Sequence, residues 1–365
     1  MGFLMNYYRK VDREAIQYDF LYFLDEDQDI YNEITELGGR IYKIKKPSIG
    51  LDSIKEIDQL FSRIGKDYPI VHNHEVYLSF IFEPLSKKHG NPSFISHSHT
   101  TKLSPKLLNR FRNTMLCLPI NKVSDYRFAC SREAGLSLFR KKWDTSHSYI
   151  IPNAIDCNKF SFSEVKRENA RKKLGVEDKF VIGNVGRLEP GKNQSRLVDI
   201  FKEILKNRKN SVLILVGEGP DQQLIDTKVK QLGIENAVMF LGKRADIADL
   251  YCAMDLFVFT SLYEGLGIVL IEAQCSGLPC ISSTGVPKMT CVNGNYFEFV
   301  DLKCSNEIWA KKALQFNGRA DNAEVAVKNS GFDISVAVRD MEKLYYGIAE
   351  KRDTNELDNN ISFVR

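Results

Sequence analysis

Glu264 and Glu272 stand in the segment Tyr263-Glu264-Gly265-Leu266-Gly267-Ile268-Val269-Leu270-Ile271-Glu272-Ala273. The apolar run Leu256-Phe257-Val258-Phe259 just before it reads as a strand. A helical pattern runs from Gly267 to about Ser276. The order is strand, glycine turn, helix, with one carboxylate before the turn and one inside the helix. Glycine lets the backbone approach a ligand closely. A helix start offers N–H groups and a positive dipole end, which suit a diphosphate. A carboxylate accepts hydrogen bonds from sugar hydroxyls. This is the layout of a nucleotide-sugar site. The bland alternative is an ordinary strand-to-helix turn with two surface glutamates.

A second chemical segment is Gly183-Asn184-Val185-Gly186-Arg187-Leu188-Glu189-Pro190-Gly191-Lys192-Asn193. It also follows a strand and opens a helix. Arg187 offers a planar fork of donors and Lys192 a point charge, both suited to phosphate oxygens. The spacing is not that of a P-loop, because no Lys-Ser/Thr pair follows a glycine run. Beside the Glu264 segment it reads as a diphosphate clamp. A further glycine turn, Leu215-Val216-Gly217-Glu218-Gly219-Pro220, reads as structural.

Four of the six histidines form two His-x-His pairs, His72 with His74 and His97 with His99. Each closes a strand pattern in the N-terminal half. Alternate residues share a strand face, so either pair could hold a metal, serve packing, or face a cleft beside an acceptor. Neither pair has a cysteine or carboxylate at familiar spacing, so no metal is expected. Residues 102–142 are locally basic: Lys102, Lys106, Arg110, Arg112, Lys122, Arg127, Arg132, Arg140, Lys141 and Lys142 stand against Asp125 and Glu133. Within it, Leu107, Leu108, Phe111, Met115 and Leu118 fall at helical spacing. That is either a basic amphipathic helix for an anionic membrane surface or a buried helix with a solvated basic face.

Positioning these groups falls to strands that alternate with helices. The first half offers strands over Tyr18–Phe23, Arg40–Ile44, Ile70–His74, Ser93–His97, Arg127–Ser131 and Ser148–Ile151. The second offers Phe180–Val185, Val212–Val216, Val238–Leu241, Leu256–Phe259 and Cys280–Ser282. Patterns such as Ile54–Ile64 and Leu197–Leu205 have helical spacing between them. Such alternation predicts βαβ units and parallel sheets, here two Rossmann-like domains of an α/β chain. The pattern breaks at Ile151-Pro152-Asn153-Ala154-Ile155-Asp156. The expected division is residues 1–152, residues 153–334, a terminal helix 335–349 crossing back to the first domain, and a polar tail 350–365. The chain has 365 residues, 43% of them hydrophobic, which fits two domains with real cores. A net charge of +4 does not argue for nucleic acid. The eight cysteines include no Cys-x-x-Cys and read as reduced core residues of a cytoplasmic protein. No apolar run reaches the roughly 18 residues of a spanning helix, and no signal peptide is visible.

Taken together, Glu264-x7-Glu272, the Arg187…Lys192-Asn193 loop and the 151–156 linker resemble the retaining GT-B glycosyltransferases of family 4, the glycosyl transferases group 1 domain. Asn6-Tyr7-Tyr8-Arg9, His97-Ser98-His99 and Glu272-Ala273-Gln274 resemble its bacterial capsular and exopolysaccharide branch. The resemblance implies two Rossmann-like domains whose parallel sheets face each other across a cleft. It implies that Gly186, Arg187 and Lys192 bind the donor diphosphate and stabilise the leaving nucleotide. Glu272 would hold the ribose, and Glu264 the transferred sugar. Backbone N–H groups at Leu266, Gly267 and Ile268 would add to the phosphate site. Lys243 and Arg244 would lie by the base. His97 best matches the family's cleft histidine on the acceptor side, with His99 close behind.

By this resemblance the activity is metal-independent transfer of a sugar from a UDP-sugar to a lipid-linked oligosaccharide of a capsule or exopolysaccharide. No cofactor is expected, and the enzyme would sit in the cytoplasm or peripherally on the inner membrane face. UDP-sugar 2-epimerases share the architecture, and a non-catalytic subunit that binds nucleotide sugar or a partner enzyme is a second alternative. The sequence departs from the family at two places. It starts within the helix Phe3–Arg9, so the first strand and glycine loop, about twenty residues, are expected to be missing. That absence would leave unpaired strand edges in the first domain. Residues 283–301 also lack a clear Gly-x-Pro-Glu pattern.

Overall fold

The computed structural model describes residues 2–23, 28–101, 107–143 and 145–351. The chain forms two compact units. One gathers Met1–Asn153 with the chain from Ile334 onward, and the other is Ala154–Asp333. The break falls at Asn153, inside the Pro-Asn segment, where proline removes a backbone donor and restricts its neighbours.

In the first unit, β1 (Phe20–Tyr22) and β2 (Ile41–Lys43) pair in parallel as a two-stranded sheet. A separate parallel sheet runs in the order β3 (Ile70–Asn73), β4 (Ser93–Ser98), β5 (Tyr126–Ala129) and β6 (Ser148–Ile150). No ladder joins the two sheets among the described residues. Leu60, Phe61, Ile81, Phe82 and Phe94 fill the core between the sheets and the helices Leu51–Ile64 and Ser79–His89. The helix Ile334–Ala349 belongs to this unit and buries Met341, Leu344 and Ile348. Tyr7, from the helix Gly2–Tyr8, donates to the Pro152 carbonyl at 2.8 Å.

The second unit holds one six-stranded parallel sheet. Its strands in chain order are β7 (Phe180–Val185), β8 (Ser211–Val216), β9 (Val238–Phe240), β10 (Leu256–Phe259), β11 (Cys280–Ser283) and β12 (Phe297–Val300). In space the order is β12-β11-β10-β7-β8-β9. The chain starts at β7, winds outward through β8 and β9, then returns to β10 and winds the other way. The switch of direction therefore falls between β7 and β10, the position where doubly wound sheets hold ligands at their strand ends. β7, β8 and β10 are apolar nearly throughout because helices cover both faces. The short edge strand β12 lies in the stretch 283–301 that the sequence left without an element. Its end residues Phe297 and Val300 are buried and the middle pair, Glu298 and Phe299, is partly exposed.

All eight cysteines are free thiols, and six are buried. No helix among the described residues is long and apolar enough to cross a membrane.

Candidate functional site

The loops after β7 and β10 meet at the carboxyl edge of the sheet, on either side of the switch point. Lys192 Nζ donates to Glu264 Oε1 at 2.6 Å, and Ser261 Oγ donates to the same oxygen at 2.6 Å. The two loops are stitched by their backbones. Leu262 N–H donates to the Gly191 carbonyl at 2.8 Å, and Thr260 Oγ1 to the Asn193 carbonyl at 2.9 Å. The Glu264 N–H is held by the Gly285 carbonyl at 3.1 Å. Lys192 and Glu264 are both largely buried. Their contact brings together two residues 72 positions apart, each drawn from a different motif.

Arg187 stands apart from this pair. Its side chain is 70% exposed, and its nearest carboxylate, Glu189, lies 3.7 Å away. Its own carbonyl is fixed by Gln194 Nε2 at 3.0 Å. The loop thus has an ordered backbone and an uncommitted guanidinium, as a site for an anion needs.

The turn after β10 ends at Gly267, whose φ of +84° puts it in the left-handed region before the helix Ile268–Cys275. That conformation favours glycine. Among the described residues, the N–H groups of Leu266, Gly267 and Ile268 donate to no oxygen. They are the orphan donors of a helix start. Farther along, Glu272 accepts from Tyr251 Oη at 2.9 Å. Burial pushes the Glu272 carboxyl up to about 7, with the Tyr251 hydrogen bond and the Lys159 charge opposing. Tyr251 was not singled out from sequence. Its only signal there is a tyrosine in the helix Ile247–Ala253, just before β10.

The turn Gly217-Glu218-Gly219 is built for close approach. A Cβ on Gly217 would meet the Gly186 carbonyl oxygen at 2.1 Å, and one on Gly219 the Leu188 oxygen at 2.1 Å. This packing supports the structural reading and shows that the turn buttresses the Arg187 loop. Glu218 Oε1 also accepts from the Lys243 N–H at 3.4 Å. Arg244, expected beside a base, instead forks onto Asp246 at 2.8 and 2.6 Å. Residues 285–288 read Gly-Val-Pro-Lys, so a lysine stands where the family pattern has glutamate.

In the first unit the two His-x-His pairs come together. Parallel pairing of β3 with β4 sets His72 opposite Ile95 and places all four imidazoles on one face. His97 is fully buried, with Phe3 edge-on at 4.9 Å between ring centroids. His72, His74, His99 and Phe128 also pack around its ring. His99 is only partly buried.

The helix Leu107–Leu116 corrects the reading of a buried helix with a solvated basic face. Leu108, Phe111, Met115 and Leu118 are 53–86% exposed, while Asn113 and Cys117 face inward. Arg110 and Arg112 are exposed with them. Arg127 is not part of this surface: it is buried and donates to Ser148 Oγ at 3.0 Å and the Ser146 carbonyl at 2.5 Å. Lys102 and Lys106, and the side chain of Leu107, lie outside the described residues.

Comparison with known proteins adds independent findings. Residues 166–316 match the family model for glycosyl transferases group 1. EpsF of Bacillus subtilis is 29% identical over 318 residues, covering 84% of this chain and 82% of its own. The UDP-Gal:alpha-D-GlcNAc-diphosphoundecaprenol alpha-1,3-galactosyltransferase of Escherichia coli is 28% identical, covering 67% of this chain and 64% of its own. Among solved structures, Anabaena HepE in complex with UDP superposes with a TM-score of 0.77 at 22% identity, covering 95% of this chain and 96% of its own.

Proposed function

The chain belongs to the group 1 glycosyltransferases of GT-B fold, and on that premise we propose that it transfers a sugar from UDP to a lipid-linked oligosaccharide, retaining the anomeric configuration. The observation that carries this reading is the meeting of the Arg187–Lys192 loop with the Glu264 turn at the switch point of the sheet. As the acceptor oxygen bonds to the anomeric carbon, the bond to the β-phosphate oxygen breaks and negative charge grows on UDP. Arg187, Lys192 and the N–H groups at Leu266–Ile268 supply fixed positive charge and donors where that charge develops. The acceptor proton leaves with the products. Glu264 aligns the sugar hydroxyls and, without donor, holds Lys192 in place. Glu272, oriented by Tyr251, accepts from the ribose. Lys243 lies toward the base. No divalent ion is required in this scheme, because Arg187 and Lys192 take its part. On the acceptor side the reading keeps His99, with His97 behind Phe3.

The lipid-linked acceptor is supported by the diphosphoundecaprenol named for the E. coli relative, and an alpha product by the same name. It is also supported by the exposed face of Leu108, Phe111, Met115 and Leu118 beside Arg110 and Arg112. Such a face suits the boundary of an anionic bilayer on the cytoplasmic side. Replacing Leu108 and Phe111 with glutamate should abolish sedimentation with phosphatidylglycerol vesicles and leave UDP binding unchanged.

The deciding experiment is calorimetric binding of UDP and GDP without added metal, followed by a transfer assay with UDP-sugars and an undecaprenyl-diphosphate-linked sugar. We expect UDP to bind and Lys192→Ala to lose turnover. Binding of neither nucleotide would overturn the reading. Release of an epimerised free sugar without acceptor would replace it with an isomerase.

A further inference from the structure

We propose that His72, His74 and His97, with His99 beside them, form a binding site for a late first-row divalent ion such as Zn(II), in the first unit and separate from the donor site. Each of the first three offers a ring nitrogen, and these lie within 4.8 Å of one another. His72 Nε2 and His97 Nδ1 are 3.1 Å apart, and His74 Nδ1 and His99 Nε2 are 2.8 Å apart. A tetrahedral ion with bonds of about 2.0–2.1 Å sets its ligand nitrogens roughly 3.4 Å apart, so the rings must turn out of their stacked arrangement to close the set.

Two further observations favour an ion over plain packing. His74 Nε2 and His97 Nε2 are buried with no hydrogen-bond partner. Orphaned buried polar atoms are costly and call for an explanation; an ion bound through Nε2 of His74 and His97, in place of their Nδ1 contacts, would provide the partner. His72 Nδ1 is hydrogen-bonded to Tyr345 Oη at 2.6 Å, which turns its Nε2 into the cluster. An orienting bond on the far nitrogen is characteristic of ligating histidines. No carboxylate joins the group among the described residues. All-imidazole ligation selects Zn, Ni, Cu or Co over Mg or Ca. Phe3 covers His97 and His99, and Phe128 lies edge-on to His72, so the walls are aromatic. An ion here would tie β3 to β4 and both, through Tyr345, to the C-terminal helix.

The test uses the untagged full-length chain, stripped with a chelator and titrated with Co(II), then displaced with Zn(II). One equivalent of Co(II) should give the intense visible absorption of a tetrahedral site, and Zn(II) should abolish it and raise the melting temperature. Tyr345→Phe keeps every ligand and should weaken binding about 10–100-fold. His97→Gln should weaken it at least as much, whereas His89→Gln, outside the cluster, should not. Should His97→Gln fail to fold, the wild-type spectrum and Tyr345→Phe still decide. Absence of a stoichiometric tetrahedral spectrum, or equal titrations in wild type and Tyr345→Phe, would overturn the proposal.

Discussion

The two edges of the second unit's sheet both carry arginines, and they use them differently. At the amino edge, Asp255 begins β10 and accepts from Arg167 Nη2 at 2.5 Å, Arg171 Nη1 at 3.1 Å and the Val181 N–H at 2.8 Å. Burial alone would raise its carboxyl, yet the Val181 N–H and Arg167 outweigh that and hold it below the usual range. Arg319 donates to the carbonyls of Tyr251, Cys252 and Ser276 at 3.0, 2.7 and 2.7 Å, and also to that of Met254. A groove of about 600 Å³ runs along these residues. Arg167, Arg171 and Arg319 in its lining are already engaged with Asp255 or with carbonyls, while Arg208 lies over the Phe180 ring. At the carboxyl edge, Arg187 reaches into solvent from an ordered loop. A saturated arginine holds the fold together. One whose backbone is fixed and whose head is uncommitted can meet a phosphate.

The strongest way to break this comparison is Arg171→Ala. It removes one donor from Asp255, which Arg167 and the Val181 N–H still hold, and should cost about 1.5–3 kcal/mol of stability, read by urea denaturation, while UDP affinity of the folded fraction stays unchanged. Arg187→Ala should do the reverse. Turnover falls by about 10²–10³, or roughly 2.7–4 kcal/mol, if it acts as a charge-stabilising donor. Stability should stay within about 0.5 kcal/mol. If Arg187→Ala unfolds the protein, or Arg171→Ala abolishes UDP binding without unfolding it, the division between the two edges fails.

Gly219→Ala sharpens the comparison, because its Cβ would strike the Leu188 carbonyl beside Arg187. Overpacking of this kind costs about 1–3 kcal/mol. Here the loss should appear in UDP affinity, since the displaced backbone is the Arg187 loop.

The smallest effect concerns pH. A ribose hydroxyl donates best to an ionised carboxylate, and Glu272 ionises at about 7. UDP affinity should therefore weaken as pH falls through 7, by about tenfold per pH unit below it. Tyr251→Phe removes a bond that favours the ionised form and should move the midpoint upward. The same raised value means that the folded state binds more protons than the unfolded chain between pH 4.5 and 7, so this carboxyl makes stability fall as pH rises across that window. Affinity flat from pH 6 to 8 would remove Glu272 from the ribose site.

Much of the site was legible because its residues are local. Glu264, Gly267 and Glu272 share one strand-turn-helix, and Arg187 and Lys192 one loop, so they stood out as candidates, while the family resemblance supplied their roles. Tyr251 escaped because it reaches Glu272 from another helix, and a lone tyrosine carries no pattern. Arg127 was misplaced because composition counts charges without seeing that Ser148 and Ser146 bury this one. The edge strand β12 escaped because Glu298 interrupts its short apolar run, unlike Leu256–Phe259.

The sequence by itself determined that the chain alternates strands with helices, where it divides, and which loops carry carboxylates and cations. Those are short-range properties, set by hydrophobic period, glycine and proline. Only the tertiary structure decided the strand order that brings β7 beside β10 and hence Lys192 against Glu264. It also decided the register that joins two separate His-x-His pairs into one cluster. It turned Leu108, Phe111 and Met115 outward, although their spacing would equally fit a core. Strand order, register and the facing of an amphipathic helix depend on contacts between residues far apart in the chain, and no local pattern encodes them.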